Sequence, residues 1–130
     1  MPLPNLPFGI LITSKQLISG LHINNLTYLL TGTATNLTAT PAGTNVTSLA
    51  LNSWSNEVTT VANANDGVLL PLAKSGLRVI VTNSGAGNSL RVFANPNDNI
   101  KGAAQADLAQ NASSMFVCWK DGTWKQLNFA

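Results

Sequence analysis

The sequence predicts an all-β chain: an antiparallel β-sandwich of jelly-roll type with an extended N-terminal arm. Three observations lead there. Short runs of β-branched and aromatic residues are separated by Gly, Pro, Asn and Asp at nearly regular intervals. Charged residues make up only 9% of the chain against 45% hydrophobic ones, so Asn, Thr and Ser must cover the surface, and these suit turns and half-exposed strands better than helix interiors. The chain also lacks apolar heptads. Its 130 residues are the length of one domain, which buries roughly two thirds of its unfolded surface.

Residues 1–45 read as an arm and a connection, and residues 46–130 as the sandwich domain. Pro2, Pro4 and Pro7 favour an extended start, because proline fixes φ and restrains the residue before it. The stretch from Gly9 to Leu30 is apolar without clean periodicity, and residues 14–18 are compatible with either a helical turn or a strand. Such an arm either packs on its own domain or lies across a neighbouring subunit. Residues 31–43, rich in Thr and Gly, read as a connection with room for an exposed strand.

Strands are then expected over 46–51, 57–62, 67–72, 77–83, 90–94, 114–120 and 123–128. Turns fall at Asn52-Ser53, Asn65-Asp66-Gly67, Lys74-Ser75-Gly76, Asn95 to Asn99 and Asp121-Gly122. Residues 103–109 read as a loop. The segment Val81-Thr82-Asn83-Ser84-Gly85-Ala86-Gly87-Asn88-Ser89-Leu90-Arg91-Val92-Phe93 has the look of a phosphate loop, but a strand pattern follows where a phosphate site needs a helix N-terminus. A hairpin joining 77–83 to 90–94 is expected instead, its glycines serving positive-φ positions. Strand 77–83 carries Arg78, Ile80 and Thr82 opposite Leu77, Val79 and Val81, and Phe93 follows Arg91. A partly apolar second face results, a candidate for contact with the arm or another subunit.

The net charge is +2. Lys15, Lys74, Arg78, Arg91, Lys101, Lys120 and Lys125 are scattered singly, without the stripe that a nucleic-acid partner requires, so none is expected. The N-terminus lacks the basic start and cleavage site of a signal peptide, and Lys15-Gln16 interrupts its apolar run, so neither secretion nor a membrane partner is expected. The Asn-x-Ser/Thr triplets at Asn25, Asn36, Asn45 and Asn111 then read as chance products of composition.

No catalytic, metal or cofactor site is expected. Acid–base chemistry needs paired titratable groups, whereas His22 is the sole histidine and Glu57 the sole glutamate; Asp66 and Asp121 precede glycines in turns, and Asp98 and Asp107 lie in loops. Cys118 excludes an intrachain disulfide by being alone, and its mid-strand position makes it an apolar filler rather than a nucleophile. A two-residue turn at Asp121-Gly122 would set Trp119 opposite Trp124 and Phe116 opposite Leu127. Asn95-Pro96-Asn97-Asp98-Asn99 offers oxygen ligands, but one carboxylate is too few for a calcium loop, and a turn is the better account. Trp54, Trp119 and Trp124 serve as core or interface anchors, or as a platform for a glycan.

From residue 46 to residue 128 several segments follow one another in a suggestive order: Asn56-Glu57-Val58-Thr59-Thr60-Val61, Asp66-Gly67-Val68-Leu69-Leu70-Pro71, Gly76-Leu77-Arg78-Val79-Ile80-Val81-Thr82-Asn83, Asn88-Ser89-Leu90-Arg91-Val92-Phe93, Asp98-Asn99-Ile100-Lys101-Gly102, and Phe116-Val117-Cys118 to Gly122-Thr123-Trp124. This order resembles a β-rich module of tailed-bacteriophage virion proteins, found in head decoration and fibre components. Phe93-Ala94-Asn95-Pro96 stands where that family has an aromatic-Pro step. The resemblance implies a non-enzymatic, commonly trimeric protein. A stand-alone domain without heptads suits a capsid decoration, or cement, protein that docks on the major capsid protein at the virion surface after assembly in the host cytoplasm. A tail or fibre module binding a receptor or glycan is the alternative.

Overall fold

Asparagine and glycine decide where this chain turns. The computed structural model describes residues 30–129. Most of the expected arm, with His22 and Lys15, therefore lies outside the described residues. Among those described are ten strands and no helix: β1 (Thr33–Thr38), β2 (Leu49–Ala50), β3 (Ser55–Thr60), β4 (Gly67–Leu69), β5 (Arg78–Asn83), β6 (Leu90–Phe93), β7 (Asn99–Ile100), β8 (Gln105–Leu108), β9 (Ala112–Lys120) and β10 (Thr123–Asn128). The all-β expectation holds.

The strands form a six-stranded sheet, β1-β3-β5-β9-β10-β7, and a four-stranded one, β2-β4-β6-β8. From β1 to β6 the chain alternates between the sheets, so β1, β3 and β5 run parallel in one and β2, β4 and β6 parallel in the other. This is solenoid-like stacking. Among the described strands, the antiparallel pairing expected from the sequence joins β5 with β9, β9 with β10, and β6 with β8. Equivalent residues on successive rungs, such as Leu49 and Val68 or Ser55 and Ile80, lie about 19 to 25 positions apart.

Inward side chains stack from rung to rung. Val68 and Val92, both fully buried, sit opposite one another between Leu49 and Ala106. On the larger sheet Val58, Val79, Val81 and Phe116 are fully buried, and one apolar cluster joins them to Leu90, Val92 and Leu108 of the smaller sheet. β-branched residues fill such rows because their stiff side chains pack on their own kind one rung away. At Gly67 the backbone runs beneath Phe93, whose Cε2 would lie 2.7 Å from any added Cβ.

The expected hairpin between 77–83 and 90–94 is absent: β5 and β6 belong to different sheets, and Ser84 to Ser89 cross between them. A hairpin would have left Val81 and Val92 in one layer, whereas the crossing lets both face the shared core. The glycines remain necessary. Gly87 has φ +83°, and a Cβ on Gly85 would approach the Val61 backbone nitrogen to 2.9 Å. Asn83, fully buried, holds the crossing: its Nδ2 donates to the carbonyls of Asn88 (2.9 Å) and Leu108 (3.0 Å), and its Oδ1 accepts from the Gly85 amide.

One expected loop, residues 103–109, differs from expectation. Lys101 and Gly102, both at positive φ, turn the chain from β7 into Ala103, and residues 105–108 form β8. Thr33–Thr38, the suspected exposed strand, is β1. The Asn95–Asn99 segment turns as expected, with Asn97 at φ 75° after Pro96 and the Asp98 amide donating to the Asn95 carbonyl.

Asn83→Ala should cost about 2–4 kcal/mol of folding stability, because it leaves a buried amide and two buried carbonyls without side-chain partners. Ser89→Ala, an exposed change in the same crossing, should stay within about 0.5 kcal/mol. Denaturant titration of the two variants checks this, and equal midpoints would contradict the bracing role of Asn83.

Candidate functional site

Alternation along β5 turns Val79 and Val81 inward and leaves Arg78, Ile80 and Thr82 on the outer face of the six-stranded sheet. Cross-strand register extends that face. Ile80 lies opposite Met115 on β9, and Met115 lies opposite Leu127 on β10, so the three form one row across three strands. The next row runs Arg78, Val117, Lys125. Trp119 and Phe129 extend the apolar area at the strand ends; Trp119 is 54% exposed, Leu127 51% and Phe129 49%. A stripe of large apolar side chains thus crosses the outer face, with the exposed Arg78 and Lys125 beside it.

Toward the other ends of the strands the same face adds polar side chains beside the exposed Phe129, whose amide donates to the Ser113 carbonyl. Thr82 and Ser113 share a 2.7 Å hydrogen bond, and Glu57 lies opposite Thr82. The outer face of the smaller sheet differs again, since Arg91 Nε meets Asp107 Oδ1 at 3.0 Å across β6 and β8. Two further exposed apolar side chains, Val46 (68%) and Leu72 (55%), lie outside the strands of this face.

The tryptophans separate into three environments. Trp124 is fully buried opposite Cys118, Trp54 is half-buried and Trp119 is exposed with Lys120 Nζ 5.0 Å from its ring centroid. The expected facing of Trp119 with Trp124 and of Phe116 with Leu127 is therefore corrected: an irregularity after Thr123 shifts the register, placing Phe116 opposite Gln126 and Leu127 opposite Met115. That one step moves Leu127 from the core to the outer stripe.

Each aspartate serves the fold. Asp66, buried, accepts from the Asn63 and Ala42 amides; Asp98 accepts from the Ala73 amide; Asp121 accepts from the Ser75 amide and lies 4.0 Å from Lys74 Nζ. In the Asn95–Asn99 turn the Asn95 amide donates to the Leu70 carbonyl and Asn99 Oδ1 accepts from Gly102, so these oxygens and amides tie the turn to its neighbours. Among the described residues no three His, Cys, Asp or Glu gather as a metal site would require.

Cys118 is fully buried beside Phe116 and Trp124. Burial pushes its thiol pKa up, and the carboxylates of Asp121 and Asp98 push it further. Its Sγ–H donates to the Lys120 carbonyl at 3.0 Å. A protonated, enclosed thiol is a poor nucleophile.

The sequence pointed to Ile80 as part of a second face but not to Met115 and Leu127. Met115, Val117 and Trp119 do alternate along β9; what the sequence lacked was the register that aligns them with Ile80 and Leu127. A chromogenic disulfide reagent should modify Cys118 only as fast as the folded chain opens, and at once in denaturant. Rapid modification under native conditions would contradict its enclosure. Comparison with protein-family models, with curated proteins and with solved structures yields no match for this chain.

Proposed function

We propose that this chain is a structural protein of a tailed-bacteriophage virion, a decoration or cement protein that binds the major capsid protein on the outer shell as an oligomer, a homotrimer by the resemblance noted above. The apolar stripe of Ile80, Met115 and Leu127, extended by Val117 and Trp119, carries this reading. Its mechanism is passive. Burying the stripe against a neighbour removes apolar area from water, at about 25 cal/mol per Å² before the costs of association. Arg78 and Lys125 at its border favour a partner with an apolar centre and a carboxylate rim. In this reading the two sheets around one core act as the expected sandwich, wound as a solenoid rather than as a jelly roll.

A second reading, a receptor- or glycan-binding module of the tail or fibre, is favoured by one observation: Trp119 stands 54% exposed beside the hairpin turn at Asp121-Gly122. An exposed indole offers the flat apolar surface on which a sugar ring stacks.

The copy number of this chain per virion, measured by quantitative mass spectrometry against the major capsid protein, distinguishes the readings. Near-stoichiometric amounts support decoration, a handful of copies supports the tail or fibre, and absence from particles rejects both. Leu127→Asp should dissociate the oligomer in sedimentation and abolish capsid binding while the chain still folds with the same circular dichroism spectrum, because Leu127 is half-exposed in the single chain. An intact oligomer in this variant would remove the stripe from the interface.

A further inference from the structure

The cations of this chain are scattered singly in sequence, but strand register gathers three of them at one end of the outer face. Arg78 on β5 and Lys125 on β10 both lie opposite Val117 of β9, one on each side, and both are exposed. Neighbouring strands run about 4.8 Å apart, so the two stand roughly 10 Å from one another across β9. Two residues beyond Val117 on β9 comes Trp119, 54% exposed. Lys120 follows it, also exposed, and its Nζ lies 5.0 Å from the Trp119 ring centroid. Three cations thus frame one open indole.

Carboxylates do not cancel them. Among the described residues the ion pairs join Lys74 to Asp121 and Arg91 to Asp107, and none involves Arg78, Lys120 or Lys125. Asp121, in the adjoining turn, is held by the Ser75 amide and by Lys74. Glu57 lies opposite Thr82, toward the other end of the strands. The hairpin end of the face therefore carries a net positive charge around its aromatic ring. The row of Ile80, Met115 and Leu127 lies on the far side of Val117 from Trp119, so the apolar stripe borders this patch without filling it.

We propose that Trp119, Arg78, Lys120 and Lys125 form a binding site for an acidic polysaccharide, a chain whose sugars carry carboxylate or sulfate groups. This rests on the second reading above, in which Trp119 is a sugar platform, and adds the charge of the sugar. The apolar face of a sugar ring packs on the indole. The planar fork of Arg78 takes an anionic group through two parallel hydrogen bonds, while the lysine ammonium groups act as point charges. A neutral sugar engages only the ring. Each exposed cation contributes little alone, so a polymer that meets several of them at once is the occupant this patch favours.

Titration of the intact protein with four chains tests this, read by tryptophan fluorescence and calorimetry: oligogalacturonate, dextran sulfate, uncharged dextran and a single-stranded thymidine oligonucleotide. Oligogalacturonate or dextran sulfate should bind at least about tenfold more tightly than dextran, with affinity falling as salt rises. Which of the two binds more tightly separates carboxylate from sulfate recognition. Trp119→Ala, and Arg78→Gln combined with Lys125→Gln, should each weaken that binding about tenfold while the circular dichroism spectrum stays unchanged. Dextran bound as tightly as the acidic chains would overturn the charge assignment and leave the glycan reading standing, whereas binding of no carbohydrate would overturn both. Acidic chains that bind equally well to the variants would also overturn the proposal. So would tighter binding of the oligonucleotide, lost in the same variants, which would assign the patch to a phosphate polymer.

Discussion

Side-chain amides that bond across rungs are the constraint on which this structure depends. Parallel strands stacked through two sheets leave a corner between each pair of strands, where backbone carbonyls turn away from the ladder and must find donors. Asparagine provides them. Asn56 Nδ2 reaches the Ser53 carbonyl at the corner before β3 and the Ile80 carbonyl on the next rung, Asn88 Nδ2 the carbonyls of Val61 and Ala62, Asn95 Nδ2 that of Leu70, and Asn83 Nδ2 that of Leu108. The Asn56, Asn88 and Asn95 bonds join one rung to the next, so the corners stay in register with the strands between them. Carboxylates cannot serve those carbonyls because they only accept; Asp66, Asp98 and Asp121 instead take the backbone amides of the turns.

The same residue type explains the backbone of the corners. Asn65, Asn97 and Asn111 in the corners, and Asn36 within β1, adopt positive φ, the left-handed region that asparagine tolerates better than most side-chain-bearing residues. The low charge and high asparagine content thus have a structural cause. They also leave the outer sheet face with few charges to discourage contact, and the row of Ile80, Met115 and Leu127 occupies it.

Antiparallel pairing across β5, β9 and β10 makes the apolar row of that outer face continuous in register. Alternation fixes which side chains of β5 point outward, the antiparallel pairing with β9 aligns Met115 with Ile80, and the irregularity after Thr123 aligns Leu127 with Met115. Moving β10 by one residue would send Leu127 inward and Trp124 out. The buried Trp124 holds against this: it lies between Cys118 and Ile100, and exposing it would forfeit the largest buried side chain of the core. Core and surface stripe are therefore set by one register.

The sequence by itself determined that the chain is all-β, where most strands lie, that Asp121-Gly122 turns and that Cys118 is packed rather than reactive in character. These follow from local chemistry: β-branched runs, turn residues and the lack of groups able to activate a thiol. It suggested a hairpin at Ser84 to Ser89 because the glycines serve a hairpin and a crossing between sheets equally well. Only the tertiary structure decided that β5 and β6 part into different sheets, that residues 105–108 make a strand, and that Ile80, Met115 and Leu127 meet. Each of those depends on which strand lies beside which, a matter of long-range packing around a shared core, and no local propensity encodes it.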